Sequence, residues 1–528
     1  MLPPHQPQAC SVSAPWQDGP TAAGFVLRAL ARHSDRVAFR TGDQVVTYRA
    51  ALDLIGRIQG VLAHAGVGRG DVVAGLAANR FEAWCAGVAS HGLGAATTAL
   101  HPLGSLQDHL AQIADSGARA LILDPRFGDR AGQLASEATV SAQFVLGPAD
   151  FGPDLLAAAW ASAARAKDLA RPDDMAILNY TGGTTGRPKG VQRNHRELVA
   201  GSLAILAGFP LPSAPRYLAT APISHAAGLF VAPVLARGGV VDLLPGFDPA
   251  ALVRRIRDTR ANFSMLVPSM IYALLDEGGW DRADVGSLEL LVYGASPISS
   301  SRLQEGLDRL GPVFCQLYGQ TECFVISALE PKDHLPHRPD LLASAGHPMP
   351  DCDIRLVDDS GAEVDPGERG EICVRAPHAM HGYWRQPDLT ASTIRDGWIH
   401  TGDVGRMDAN GRLYILDRLK DLVISGGFNI YPREVEDALS DHPAVAAASV
   451  IGVPDARWGE AVKAYVVLRP GFQPRTEDLA DWIRSRRGAA HVPKSFEIVA
   501  CLPLTPLGKV DKAALRAPWW RDAARSVN

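Results

Sequence analysis

Tyr180-Thr181-Gly182-Gly183-Thr184-Thr185-Gly186-Arg187-Pro188-Lys189-Gly190, entered from the apolar run Met175 to Tyr180, is the stretch on which the reading of this chain turns. It gathers four glycines, three threonines and a lysine in eleven residues. Glycines let backbone N–H groups converge on an anion, the hydroxyls add donors and Lys189 adds charge, so the direct physical reading is a polyphosphate cradle. A Walker loop would end in Gly-Lys-Ser/Thr, whereas here Lys189 follows Pro188 and precedes Gly190. Taken alone, the segment also fits a flexible surface turn. Downstream, Asn194 with Glu197 three residues on caps a helix expected to run to about Leu206. An apolar strand, a glycine-rich loop and a capped helix in this order point to an α/β sheet.

Working outward, Leu288 to Tyr293, ending in Gly294, and Val313 to Leu317, running into Tyr318 and Gly319, are further buried-strand candidates. All three segments place their chemistry where a strand ends, which is where open α/β sheets hold ligands. Strand-length apolar runs alternate with alanine-rich helical segments as far as Leu413 to Leu416. There Asp417, Arg418, Leu419, Lys420 and Asp421 make a charged break. The expected organisation is a tail over residues 1–20, a large N-terminal α/β domain of layered sheets and helices over 21–417, and a small mobile α+β domain over 418–528. In the small domain Pro432 opens a helix, Ala461 to Leu468 forms a strand and Glu477 to Arg486 a second helix.

A length of 528 residues exceeds what one core supports, and 47% hydrophobic with 21% charged residues is ordinary for a globular chain. The net charge of −5 supplies no global basic field for nucleic acid or an anionic membrane, so any anionic ligand must be held locally. Seven scattered cysteines without a CxxC pair argue against a disulfide framework or a zinc site and fit a reducing compartment. The first twenty residues hold five prolines and lack the basic start and apolar run of a signal peptide; they read as a disordered tail. No apolar stretch approaches the ~20 residues of a membrane span, and a cytoplasmic location is expected.

The phosphate loop resembles that of the adenylate-forming superfamily of acyl-CoA synthetases, luciferases and peptide-synthetase adenylation domains, and later segments repeat the resemblance in the family's order from Val46, Thr47 and Tyr48 to Lys512. Where the family usually carries serine this chain has Gly182, which removes one hydroxyl donor and keeps the backbone amide. The resemblance implies that Thr181, Gly182, Gly183, Thr184, Thr185, Gly186 and Lys189 bind the ATP phosphates, and that Gly294, Ala295 and Ser296 line the adenine pocket. Tyr318, Gly319, Gln320, Thr321 and Glu322 match the second signature, with the aromatic ring on adenine and Glu322 as the Mg²⁺ ligand; a hard cation on ATP takes only one or two protein oxygens. It further implies that Asp403, in Thr401-Gly402-Asp403, holds the ribose hydroxyls, that Arg418 is a second nucleotide contact and that Lys420 is the hinge. Lys509, in Leu504 to Lys512, is the implied catalytic lysine, which would stabilise the charge that develops as a carboxylate attacks the α-phosphate.

The implied activity is that of an AMP-forming carboxylic acid:CoA ligase. The acid is converted to an acyl-adenylate, and a thiol then displaces AMP, with one active site serving both steps as the small domain rotates. Glu322, Thr181, His225 and Lys509 are the expected catalytic residues. Ser425, Gly426, Gly427 and Phe428 would line the pantetheine tunnel, although two adjacent glycines also suit a tight hairpin turn. The expected acyl pocket comprises His225, Ala226, Ala227, Gly228, Ser269, Met270, Tyr293 and Gly294. Small walls without formal charge suit a medium or long fatty, aryl or bulky alicyclic acid over acetate, malonate or an amino acid. ATP, Mg²⁺ and coenzyme A are the cofactor and co-substrates. Three alternatives stand beside this reading: a stand-alone ligase that loads the phosphopantetheine of a carrier protein, a luciferase-type oxygenase, and a non-catalytic nucleotide-binding protein.

Overall fold

The structure is a computed structural model that describes residues 19–181, 189–455, 457–505 and 510–520. Most of the expected tail, the phosphate-loop positions Gly182, Gly183, Thr184, Thr185 and Gly186, and the catalytic Lys509 lie outside the described residues.

Two large sheets dominate the N-terminal part. One has a parallel centre built from Arg216–Ala219, Val240–Leu243, Phe263–Leu266, Leu290–Gly294 and Phe314–Tyr318. The other places Val72–Leu76, Ala96–Ala99, Ala120–Leu123 and Ala142–Val145 in parallel beside Met175–Thr181, which turns back antiparallel into Lys189–Asn194. The central strands are buried on both faces, which accounts for their continuous apolar runs. Between the sheets, helices Ala22–Arg32, Tyr48–His64, Phe81–Gly92 and His195–Gly208 fill the main apolar cluster.

The expected helix after the phosphate loop is His195–Gly208. Asn194 and Glu197 close a capping box, each side chain bonding the other's backbone N–H. The strand Gln44–Thr47 stops at Thr47, because the Thr47 hydroxyl accepts from Ala50 N and caps a helix that begins at Tyr48. The Tyr48 hydroxyl then donates to Gly239 O at 2.6 Å, tying the two parts of the domain together.

Strand Leu413–Arg418 still belongs to a five-stranded N-terminal sheet, through its pairing with Trp398–Met407, whereas Val423–Ser425 joins the C-terminal sheet. Between them lies the 3₁₀ turn Leu419–Asp421. The charged break is thus the crossing point, and two partly buried ion pairs and a backbone hydrogen bond pin it. Lys512 Nζ sits 2.8 Å from Glu436 Oε1, Arg516 Nη2 lies 2.8 Å from Asp421 Oδ1, and Asp417 Oδ2 accepts from Arg433 N at 2.9 Å. In the C-terminal part Pro432 occupies the first turn of Pro432–Ser440, and Gly459–Leu468 and Thr476–Arg487 form as the sequence indicates.

Candidate active site

Thr181 pairs with Lys189, so the two described residues that flank positions 182–188 stand side by side at the ends of their strands. Lys189 Nζ lies 5.9 Å from the centroid of the Tyr383 ring, and the Tyr383 hydroxyl donates to Glu322 Oε1 at 2.8 Å. A lysine, an oriented carboxylate and the loop termini are therefore within one neighbourhood. Gly319 follows Tyr318 where the chain turns against itself: a Cβ there would stand 1.8 Å from Phe324 O, so only glycine fits. In the adenine segment Ala295 holds φ 67°, a left-handed conformation that costs a non-glycine residue energy and is characteristic of functional turns. Gly294 is equally confined, since a Cβ at that position would fall 2.2 Å from Leu317 O.

Asp403 is the centre of the second cluster. Its Oδ2 accepts from the Tyr318 hydroxyl and from Gln320 Nε2, both at 2.7 Å, while Arg418 Nε lies 3.6 Å from Oδ1. Gln320 Nε2 also donates to Thr401 O at 3.0 Å. Burial pushes the Asp403 carboxyl above its ordinary pKa, against the opposing pull of Arg418, Tyr318 and Gln320. Beneath it Glu371 accepts from Gly402 N at 3.0 Å through Oε1 and contacts His400 Nδ1 at 2.7 Å through Oε2, bracing the stretch of strand Trp398–Met407 that carries Asp403. Thr321 is anchored through its carbonyl, which accepts from the buried Arg193 guanidinium. Lys420 is exposed near these groups; desolvation lowers its pKa, and Arg418, Arg516 and Lys189 lower it further while Asp421 opposes them.

A cavity of about 300 Å³ opens beside these clusters, walled by apolar side chains including Phe25, Trp84, Ile205, Leu229 and Phe324. Phe324 lies two residues beyond Glu322, and Asn179, also in the wall, lies two before Thr181. His225 and Gly228 line it. Ser224 Oγ is 2.8 Å from His225 Nδ1, and the His101 ring meets the His225 ring edge-on at 4.7 Å. Burial, helped by His101, takes the His225 pKa down to about 4, so its imidazole is neutral near pH 7.

The remaining expected pocket residues stand elsewhere. Tyr293 is a correction: along Leu290–Gly294, Val292 faces the cluster between the sheets, whereas Leu291 and Tyr293 face the opposite layer, where the Tyr293 hydroxyl meets His334 Nε2 at 3.0 Å. Gly294, Ala226, Ala227, Ser269 and Met270 are likewise absent from the cavity wall. Ala227 is buried in the core, with its carbonyl accepting from Tyr217, and Ser269 is exposed at the start of Pro268–Asp276. The walls that the sequence did not disclose come from helices Ala22–Arg32 and Phe81–Gly92, far from every motif. At the expected thiol tunnel, Gly426 at φ 57° and Gly427 at φ 82° form a two-residue hairpin between Ser425 and Phe428, leaving Phe428 62% exposed.

Strand ends flanking the glycine- and threonine-rich positions 182–188, a buried carboxylate cluster and an adjacent apolar cavity are the arrangement expected of an enzyme that activates a carboxylic acid with a nucleotide. The chain belongs to the AMP-binding enzyme family, which it matches over residues 26–384, with the family's C-terminal domain matched over 434–509. It is 42% identical to the medium/long-chain-fatty-acid–CoA ligase FadD8 of Mycobacterium tuberculosis, over 96% of this chain and 92% of the relative. It is 38% identical to a feruloyl-CoA synthase of Amycolatopsis, over 91% and 95% of the two chains. Among solved structures, the amide bond synthetase McbA from Marinactinospora thermotolerans superposes with a TM-score of 0.88 at 35% identity, over 94% of this chain and all of that one. The protein is an AMP-forming acid:CoA ligase that works through an acyl-adenylate.

Proposed function

We propose that the acid is a medium or long fatty acid or an extended aryl acid, bound with its carboxylate near His225 and its apolar body in the cavity between the sheets. The observation that carries this reading is the cavity itself: about 300 Å³, apolar-walled and lined by Asn179, two residues before Thr181, and Phe324, two beyond Glu322. Each methylene buried there contributes about 0.8 kcal/mol, and among the described residues the wall has no carboxylate, lysine or arginine to pair a second charge. The relatives described as acting on fatty and feruloyl acids support the same class.

In the first half-reaction a carboxylate oxygen attacks the α-phosphorus of ATP and pyrophosphate leaves; in the second the CoA sulfur attacks the acyl carbon and AMP leaves. Asp403, held by Tyr318 and Gln320, accepts from the ribose hydroxyls. Lys189 and the loop that follows Thr181 hold the phosphates. The neutral His225 donates or accepts a hydrogen bond without adding charge beside the acyl carboxylate. The Glu322 carboxylate, oriented by Tyr383, fits a single hard-cation contact, and Mg²⁺ there would neutralise the polyphosphate charge. Lys509 serves adenylation, and Lys420 is the pivot on which residues 418–528 turn to present Ser425, Gly426, Gly427 and Phe428 to the thiol.

A panel of acids with ATP, Mg²⁺ and CoA, with pyrophosphate and thioester read separately, tests the reading. Best turnover on fatty or aryl acids is expected. Best turnover on acetate, malonate or an amino acid refutes the substrate class. Pyrophosphate without CoA thioester points to another acceptor, such as a carrier-protein thiol.

A further inference from the structure

Immediately after Glu322 the chain enters a buried polar cluster that the ligase chemistry leaves unused. Strand Ser327–Leu329 pairs antiparallel with His347–Pro348 in the register Ser327↔Pro348 and Ala328↔His347. The hydrogen bond from Met349 N to Ile326 O continues it, after which Met349 to Cys352 turn, with Cys352 N donating to Met349 O at 2.9 Å, while Cys323 bridges Ala379, the neighbour of His378. Both cysteines are thereby brought to His378. Cys352 Sγ lies 3.4 Å from Val325 O, two residues beyond Cys323, and 3.7 Å from His378 Nε2, and the two thiols shift each other's titration as close neighbours. Both cysteines are free, Cys323 fully buried and Cys352 half-buried.

Asp351, Cys352 and His378 bring possible ligand atoms within 4.8 Å of one another, which raises the question of a metal. The surroundings speak against one. His378 Nδ1 faces Asp351 Oδ2 at 3.2 Å and Nε2 faces Val325 O at 2.8 Å; both partners are acceptors, so each ring nitrogen carries a proton and neither has a lone pair for a cation. The Arg193 guanidinium, buried and donating to His378 O and Thr321 O, adds a second positive charge, with Glu197 and Glu322 as its more distant counter-charges. Paired sulfurs in a positive setting suit redox chemistry instead.

We propose that Cys323 and Cys352 are a peroxide-sensitive dithiol, a modification site whose closure to a disulfide slows the ligase. The half-buried Cys352 sulfur attacks the O–O bond of hydrogen peroxide, giving a sulfenic acid and, with the thiol proton, one water. The Cys323 sulfur then displaces the hydroxyl group, forming the S–S bond, and the departing hydroxide takes the second thiol proton as water. Two thiols lose two electrons and two protons; one peroxide becomes two waters. Closure ties Cys323 between Glu322, whose carbonyl accepts from Met380 N, and Phe324 in the cavity wall, so the tether reaches both the nucleotide and the acyl side of the site.

The test treats the full chain with hydrogen peroxide, blocks remaining thiols with iodoacetamide and maps peptides without reduction. A Cys323–Cys352 cross-linked peptide is expected, with a several-fold fall in acid:CoA ligase rate that dithiothreitol reverses. Cys352→Ser should match the untreated wild-type rate and keep it after peroxide. Alkylated Cys323 and Cys352 alongside an oxidised Cys501, which is exposed, would overturn the proposal. So would an equal peroxide loss in Cys352→Ser. The cross-link is read by mass whatever the acid substrate, so its failure is distinct from failure of the substrate assignment, and the wild-type map decides alone if the variant does not fold.

Discussion

If the cavity holds the acyl chain, its usable length can be shortened from one side without disturbing the nucleotide site. Gly87 is the place to do so. It lies within helix Phe81–Gly92, lines the cavity, and a Cβ built on it meets no heavy atom within 4 Å. Gly87→Leu therefore directs about four carbons into space that the substrate would otherwise fill. At about 0.8 kcal/mol per buried methylene, displacing about four of them removes roughly 3 kcal/mol of binding. That is about a 200-fold fall in kcat/KM for an acid that fills the cavity, at ~1.4 kcal/mol per tenfold. An acid about four carbons shorter never used that volume and should keep its kcat/KM within about threefold. Replacing a mid-helix glycine also stabilises the helix by up to ~1 kcal/mol, so the thermal midpoint should hold or rise. The assay is kcat/KM across a series of straight-chain acids, followed by pyrophosphate release, together with a melting curve. A uniform loss at every length, or none at the longest, would refute the placement of the acyl chain; a lower midpoint would show that the space is not open.

Lys509→Ala should abolish acid-dependent pyrophosphate release while sparing much of thioester formation from a supplied acyl-adenylate; equal loss of both would refute its confinement to one half-reaction. Asp403→Asn should raise the KM for ATP about tenfold or more with little loss of fold stability, because burial already disfavours the charge there; an unchanged KM would remove Asp403 from ribose binding. Lys512→Ala should cost about 3 kcal/mol in the C-terminal part, since Glu436, Asp417 and Asp421 lose their buried cation, and urea unfolding measures it. His195, His225 and His334 are held by burial at about 4 and His91 at about 3, below the ordinary 6.5. The unfolded chain thus takes up more protons as pH falls from 6.5, and stability present above that pH is lost towards pH 4 and below; a flat melting temperature over pH 6.5 to 4 would contradict this burial.

The candidate nucleotide site could be drawn from the sequence because each of its parts is local. Tyr318 to Glu322 leave the end of a strand and Thr401 to Asp403 lie within Trp398–Met407, short runs whose spacing survives in one dimension, and the structure closes them into one cluster through the bonds from Tyr318 and Gln320 to Asp403. The supports that orient them were hidden, since Arg193, Glu371 and Tyr383 are single polar residues inside strands and show their partners only in three dimensions. Tyr293 was misplaced for a related reason. A parallel strand buried on both faces has no polar alternation, so nothing in Leu290 to Gly294 tells which face a side chain takes. The acyl wall shows the same ambiguity in helices, where an apolar side chain that lines a cavity and one that packs a core obey the same spacing. What distinguishes the two is size. Ala83, Gly87 and Ser90 on one helix and Gly201 and Ser202 on another all line the cavity, at positions where a filled core would carry larger side chains. Small residues at helical spacing, on two helices that face one space, are therefore the one sequence signal of the acyl site, and it becomes readable only once the helices are known to face each other.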